Sequence, residues 1–373
     1  MSLGWSRLKG SPFVRAITSP EDHERYAEFA KSVYSGNQYW VQPDTEHVVS
    51  ILGGRTPQAE HSMVQPFWVE RDGKILATVT AVVDRAYNKH WNERMGHLLF
   101  FEALSDDMKA VRDLFMTACE WLSKKGCTAA RLEFLFGWQL PLTIDAYEAI
   151  PTFLHTYNPP YYHSYVKDSG FVTEHGVVEY QVRFTSETRE SYQSHVSRAE
   201  EQGVKLRPWD FERLEEETAL FTRLVNETFD AHWGSPQFTV REMLELTAGM
   251  RGVLVPEFLA FAEVDDEPAG FVFALPDLNQ THGRHNSGSG DSKIDRGVLL
   301  IIGVRQAFRG LGINLALGSR SFLAMMDKGY RSASYTVVLD DNWPSRRTAE
   351  KLHAHVARNF VVYRRNLVPV AIR

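Results

Sequence analysis

The sequence predicts an α+β protein of two tandem, related lobes, each a mixed, twisted sheet layered with helices. Three observations point there. At 373 residues the chain is long enough for two or three domains. Five short stretches recur in the same order in its two halves. Within each half, apolar runs of strand length alternate with runs of helical periodicity.

The recurrence begins at Arg15 and Arg207, 192 residues apart, each near the end of a strand-like run ahead of an acidic helical stretch. Trp40-Val41-Gln42-Pro43 is matched 193 residues later by Trp233-Gly234-Ser235-Pro236. At the same spacing, Val69-Glu70-Arg71-Asp72-Gly73 matches Ala262-Glu263-Val264-Asp265-Asp266, and each reads as the tight turn of a hairpin. Trp121 to Cys127 resembles Met325 to Tyr330; both read as a helix closed by a glycine and followed by a buried strand. Last, Tyr157-Asn158-Pro159-Pro160-Tyr161 resembles Asp341-Asn342-Trp343-Pro344-Ser345.

In the second copy, strands are expected near 203–208, 258–264, 269–275, 297–304, 333–339 and 359–365. Helices are expected near 211–229, 239–249, 313–328 and 344–353. The domain reading is a tail over 1–12, an N-terminal lobe over 13–185, a connecting helix over 186–203 and a C-terminal lobe over 204–373.

A net charge of −6, from 41 basic and 47 acidic residues, gives no nucleic-acid footprint. Attraction of a phosphate-bearing ligand would have to be local. Cys119 and Cys127 fit neither a disulfide framework nor a zinc site, which suggests a reducing compartment. No run approaches the ~18 apolar residues of a membrane helix. Met1 to Lys9 lacks the apolar core of a signal peptide. A cytoplasmic protein without nucleic-acid or membrane partners is the expectation.

Val298 to Val304 is a continuous apolar run, the pattern of a buried strand. Arg305-Gln306-Ala307-Phe308-Arg309-Gly310-Leu311-Gly312-Ile313-Asn314 follows, then a helical stretch to Lys328. Strand, glycine turn and helix in that order aim unpaired N–H groups and a helix dipole at one point, an anion site. Glycine lets a pyrophosphate approach the backbone, and Arg309 adds a positive charge. On these residues alone, a helix-entry turn that needs glycine for its dihedrals is an equal reading. No Walker loop or complete dinucleotide fingerprint is present.

Val304-x-x-x-Phe308-Arg309-Gly310-Leu311-Gly312-Ile313 resembles the acyl-coenzyme A loop of the GNAT N-acetyltransferase superfamily, V-x-P-x-x-R-G-x-G-I-G/A. Asp341-Asn342-x-x-Ser345 resembles that family's second motif, at the start of the next helix. The likeness spans about 204–366, with a weaker version over about 13–182. It implies that Ile302, Gly303 and Val304 offer backbone to the pantetheine arm and that Arg309, Gly310, Leu311, Gly312, Ile313 and Asn314 cradle the pyrophosphate. Asn342 and Ser345 are placed beside the pantetheine and sulfur. The implied chemistry is attack of an amine on acetyl-CoA or another acyl-CoA as co-substrate, without a metal, with a base for the ammonium and a donor for the oxyanion.

The chain departs from the family pattern in three places. Asn314 stands where the loop ends in Gly or Ala. Ala349 stands where many members carry the tyrosine that protonates the thiolate, and His353-Ala354 where they carry Gly-Phe. The acid must then come from Tyr335, Tyr363, His353 or water. In the N-terminal lobe the equivalent strand, Gly96 to Phe101, runs into Glu102-Ala103-Leu104-Ser105-Asp106-Asp107, an acidic turn that repels pyrophosphate. That lobe nevertheless keeps Asn158, Tyr161, Tyr165 and the ending Lys167-Asp168-Ser169-Gly170-Phe171.

Candidate bases are Asp340, Asp341 and Glu263; capping and turn formation ahead of Pro344 account equally for the aspartates. His232 and Trp233 read as an amine-pocket floor or as core, and Tyr157 to Tyr162 as a ligand-facing or a packing patch. Arg346 and Arg347 read as contacts to the cofactor 3′-phosphate or as exposed helical arginines. The polar run Leu278 to Ser292 is a hairpin tip or a lid, and His282 and His285 lack companion ligands. The leading reading is an N-acyltransferase for a small amine or amino-acid-like acceptor. A lapsed pair that binds coenzyme A or a metabolite is the rival, and an aminoacyl-tRNA-dependent transferase is disfavoured by the missing basic stripe.

Overall fold

The computed structural model describes residues 13–105, 107–135, 137–281 and 293–368. The tail 1–12, Asp106, His282, His285 and the rest of 282–292 lie outside the described residues. The chain forms two compact units. The first takes the chain up to Leu142, Thr156–Glu174 and the chain from Val362; the second takes Thr143–His155 and His175–Val361. The α+β class expected from the sequence is the class observed.

In the first unit come β1 (Phe13–Ala16), α1 (Pro20–Val33), α2 (Thr45–Leu52), β2 (Ser62–Arg71) and β3 (Lys74–Asp84). They are followed by α3 (Arg85–Trp91), β4 (Met95–Ala103), α4 (Met108–Lys124), β5 (Ala129–Leu132), the short β6 (Leu142–Thr143) and α5 (Tyr162–Asp168). The strands run in the order β1-β2-β3-β4-β5, antiparallel up to β4 and parallel between β4 and β5. Local chemistry explains the helices. Ser19 accepts from the Asp22 N–H at 3.2 Å with Pro20 in the first turn of α1, and Asp107 accepts from the Ala110 N–H at 2.9 Å at the start of α4. Helix α4 buries Val111, Leu114, Phe115, Ala118 and Leu122, three or four residues apart, as a single apolar stripe.

The second unit starts within β7 (Val172–Arg183) and continues with α6 (Ser186–Glu201), β8 (Val204–Pro208), α7 (Leu214–Thr228) and α8 (Val240–Met250). Next are β9 (Ala260–Val264), β10 (Glu267–Pro276), β11 (Arg296–Val304) and α9 (Ile313–Asp327). It closes with β12 (Ser332–Leu339), α10 (Trp343–Lys351) and the first part of β13 (His355–Asn366). Its sheet order is β7-β12-β11-β10-β9-β8, with one parallel pair, β11 and β12. Each expected element of the second copy is present, within a few residues at its ends.

Both units are built from pieces of both sequence halves. Val177–Arg183 of β7 pairs with β12 in the second unit, and Tyr363–Asn366 of β13 pairs with β5 in the first. The largest wholly buried side chains include Trp68, Phe115 and Phe171 in the first unit and Tyr192, Phe221, Phe258 and Phe261 in the second. Removing one such aromatic ring costs about 3–5 kcal/mol. Both cysteines are buried and free, and burial pushes each thiol up to about 11, so neither is a nucleophile at neutral pH.

Candidate functional site

In the second unit β11 and β12 pair from Arg296–Ser332 to Leu299–Tyr335. Beyond that point β11 continues to Val304 along β10, while β12 shifts register between Tyr335 and Val338 and follows β7. Val337 sits in that shift at φ +57, a left-handed backbone that a β-branched residue adopts only under constraint. The two strands therefore part after Leu299 and expose the backbone of Leu300–Val304. Among the described residues, no side chain hydrogen-bonds to that backbone. A Cβ on Gly303 would come within 2.6 Å of Thr228 Oγ1 and 2.7 Å of the Phe271 ring, so packing behind the strand demands glycine there.

After β11 a short 3-10 turn, Gln306–Phe308, leads into Gly310 at φ +95 and Gly312 at φ +71. Both backbones are left-handed, and a Cβ at either would meet nothing within 4 Å. The space before them is open. Gly312 is the N-cap of α9, and no side chain caps this terminus, so its first N–H groups face outward with the helix dipole behind them. The Arg309 N–H bonds the Gln306 carbonyl at 3.3 Å, so the outward donors begin at Gly310. Arg305 is held by Glu227 and Glu267, which leaves Arg309 as the exposed cation of the turn. Leu311 is half-buried and Ile313 buried. Asn314 turns its amide aside, donating to Thr348 Oγ1 of α10 at 2.6 Å.

At the start of α10, Asn342 Oδ1 accepts from the Ser345 N–H at 3.2 Å, and its Nδ2 lies 3.3 Å from His232 Nε2. Ser345 Oγ is 2.9 Å from the hydroxyl of Tyr335, a buried side chain of β12. Burial pushes that hydroxyl up to about 12, partly offset by the Ser345 bond, so it remains a proton donor at neutral pH. Burial also lowers the His232 pKa, opposed by its backbone bond and by Asp341, so the imidazole is biased toward the neutral form that accepts a proton. Asp340 and Asp341 are exposed, and their oxygens lie with a His175 ring nitrogen within 4.8 Å of one another. The His175 ring centre is 3.9 Å from that of Trp233. Arg346 is engaged with the Asp340 carbonyl at 2.7 Å and the Tyr180 hydroxyl at 2.9 Å. Ala349 is fully buried and offers no proton.

Most residues singled out in the C-terminal lobe are thus gathered in two groups of the second unit, whereas Glu263 is paired with Arg207 at 2.7 Å. One is the turn with the exposed β11 edge; the other is Tyr335, Asp340, Asp341, Asn342 and Ser345. Tyr363 belongs to the first unit, where its hydroxyl is 2.9 Å from His163 Nδ1. His175 carries no motif of its own, and only the pairing of β7 with β12 brings it to the aspartates. His232 had a weak signal, as the neighbour of the repeated Trp233.

The first unit repeats the strand geometry with another outcome. Strand β4 pairs with β5 from Met95–Ala129 to Leu98–Leu132 and then runs on to Ala103, two residues past the expected Phe101. Glu102 is therefore a strand residue rather than part of a turn. The edge it belongs to is met by side chains of the same chain. The Phe101 N–H donates to Glu133 Oε1 at 2.7 Å and the Ala103 N–H to the Tyr162 hydroxyl at 2.7 Å. Tyr161 donates to the Ala103 carbonyl at 2.6 Å and Tyr165 to that of Leu104 at 3.2 Å. Tyr162 also donates to Glu102 Oε2 at 2.6 Å. Burial pushes the Glu102 carboxyl up to about 7 and that of Glu133 well above the usual range.

No family model matches the chain. It is 25% identical over 270 residues to the bacterial ceramide synthase of Caulobacter vibrioides, covering 72% of this chain and 70% of that protein. A GCN5-related N-acetyltransferase from Sphaerobacter thermophilus has a TM-score of 0.56 at 16% identity, with 96% of each chain covered. A tandem GNAT protein of clavulanic acid biosynthesis has a TM-score of 0.60 at 10% identity, with 96% of this chain and all of that one covered. With its two units and their parted parallel strands, the chain has the tandem form of the GNAT N-acetyltransferase fold.

Proposed function

We propose that the protein is an N-acyltransferase that binds an acyl-CoA in the second unit and passes its acyl group to a primary amine. One observation carries this. The only parting of parallel strands in that unit, at Leu299 and Tyr335 among the described residues, lies on the strand that leads into the open, uncapped turn at Gly310 and Gly312. A free strand edge suits an amide-bearing pantetheine arm, and an uncapped helix start suits a pyrophosphate. The residues present fit the group.

In the reaction the amine nitrogen attacks the thioester carbonyl carbon, a C–N bond forms and the C–S bond breaks. The products are an amide and coenzyme A thiol. The ammonium proton passes to Asp340, Asp341 or the neutral His232. The thiolate receives a proton from Ser345, whose hydroxyl is backed by Tyr335. The Val304 N–H is the proposed donor to the developing oxyanion. The similarity to a bacterial ceramide synthase favours a long-chain amine and a long acyl chain over a small, amino-acid-like acceptor. The buried Ala349 favours a second reading, a lapsed pair that binds coenzyme A without turnover.

The test is calorimetric titration with acetyl-CoA and a long-chain acyl-CoA, followed by thiol release with small amines, amino acids and long-chain amino alcohols. Amine-dependent thiol release is expected. Binding without release under any amine would support the lapsed reading, and no binding of either thioester would remove both.

A further inference from the structure

The C-terminal half of α9 borders a cleft of about 400 Å³ on the second unit, well away from the turn at its N-terminus. Arg320 lies seven residues beyond Ile313, about 10 Å along the axis at 1.5 Å per residue. Val196 of α6 with Leu323 and Ala324 of α9 form an apolar floor. Four charged side chains line the same cleft, and three of them are matched. Lys328 reaches Glu257 at 2.9 Å, and Asp327 reaches Arg189 at 2.8 Å.

Arg320 is left over. Its contact is one donation to the Glu257 carbonyl at 3.3 Å, and among the described residues no carboxylate lies within ion-pair distance. Burial lowers its pKa, with the Glu257 charge opposing, yet an arginine stays charged at any physiological pH. Its remaining donors are open to the cleft, and its planar fork matches a carboxylate.

We propose that this cleft binds an amphiphilic monocarboxylate, its head on Arg320 and its hydrocarbon body on Val196, Leu323 and Ala324. One spare cation matches one negative charge, since the other charged side chains of the cleft are matched in pairs. The site is independent of the thioester reading.

The experiment is titration of the full chain with decanoate below its micelle concentration, against decyl phosphate and decylamine. Decanoate should bind once per chain, more tightly than either comparator. Arg320→Gln and Leu323→Asp should each weaken it at least tenfold, and Arg320→Lys by less. Denaturant melts of Arg320→Gln and Leu323→Asp should match wild type, which reports that both variants are folded, and decanoate should still bind Gly312→Asp. No binding by wild type, equal binding by Arg320→Gln and Leu323→Asp, or tighter binding of decyl phosphate would each overturn the proposal.

Discussion

The edges of β4 and β11 start from the same plan. Each strand has nine residues, pairs in parallel with its neighbour over the first four, and then parts from it. What meets the freed edge differs. In the first lobe Glu133, Tyr161, Tyr162 and Tyr165 hydrogen-bond to it, filling from within the chain the place a strand-like ligand would take. In the second lobe Glu102 is replaced by Gly303, and no side chain bonds the edge among the described residues. The same strand geometry is thus closed by the chain's own side chains in one lobe and left open in the other.

The widest test of this contrast is one substitution in each lobe. Gly312→Asp, at a φ of +71 and with a carboxylate at the uncapped start of α9, is expected to weaken acyl-CoA binding about a thousandfold. Glu102→Gln should leave that affinity within about twofold of wild type, as measured by calorimetry. Comparable losses from both would mean that the first lobe holds the thioester.

A smaller effect is expected in pH dependence. The folded Glu102 pKa is raised from 4.5 to about 7, so between those values the native state holds a proton that the unfolded chain has released. The stabilisation is complete below about 4.5 and is lost as pH rises through 7, at most about 3 kcal/mol from this group. Glu133 is displaced the same way and adds to the slope. Glu102→Gln should flatten the stability profile from denaturant melts in that window; an unchanged profile would remove the carboxyl from this role.

The smallest effect concerns Asn314. Asn314→Ala deletes the 2.6 Å bond to Thr348 and should cost about 1 kcal/mol in stability. It should change acyl-CoA affinity less than threefold, since the amide is engaged with Thr348 of α10. A tenfold change in affinity would place Asn314 in the cradle itself.

Much of this could be read from the residues. The apolar run to Val304, the two glycines and the amphipathic pattern of α9 are local signals, because periodicity and glycine dihedrals act within a few residues. The duplication was also legible, down to the hairpin turns at Asp72-Gly73 and Asp265-Asp266, both with left-handed backbone. The orientation of Asn314 and the Tyr335–Ser345 contact were not, since each depends on how two elements pack.

By itself, then, the sequence determined the class of fold, the order of elements, the two-lobe plan and the position of the glycine turn ahead of α9. Only the tertiary structure decided that residues of β7 complete the second unit while the end of β13 completes the first. The same holds for the tyrosines that fill the β4 edge and for the meeting of His175 with Asp340 and Asp341. The physical reason is range. Hydrogen bonds between residues 58 to 61 positions apart, and strand pairings across 149 to 162, leave no periodic trace in the chain that forms them.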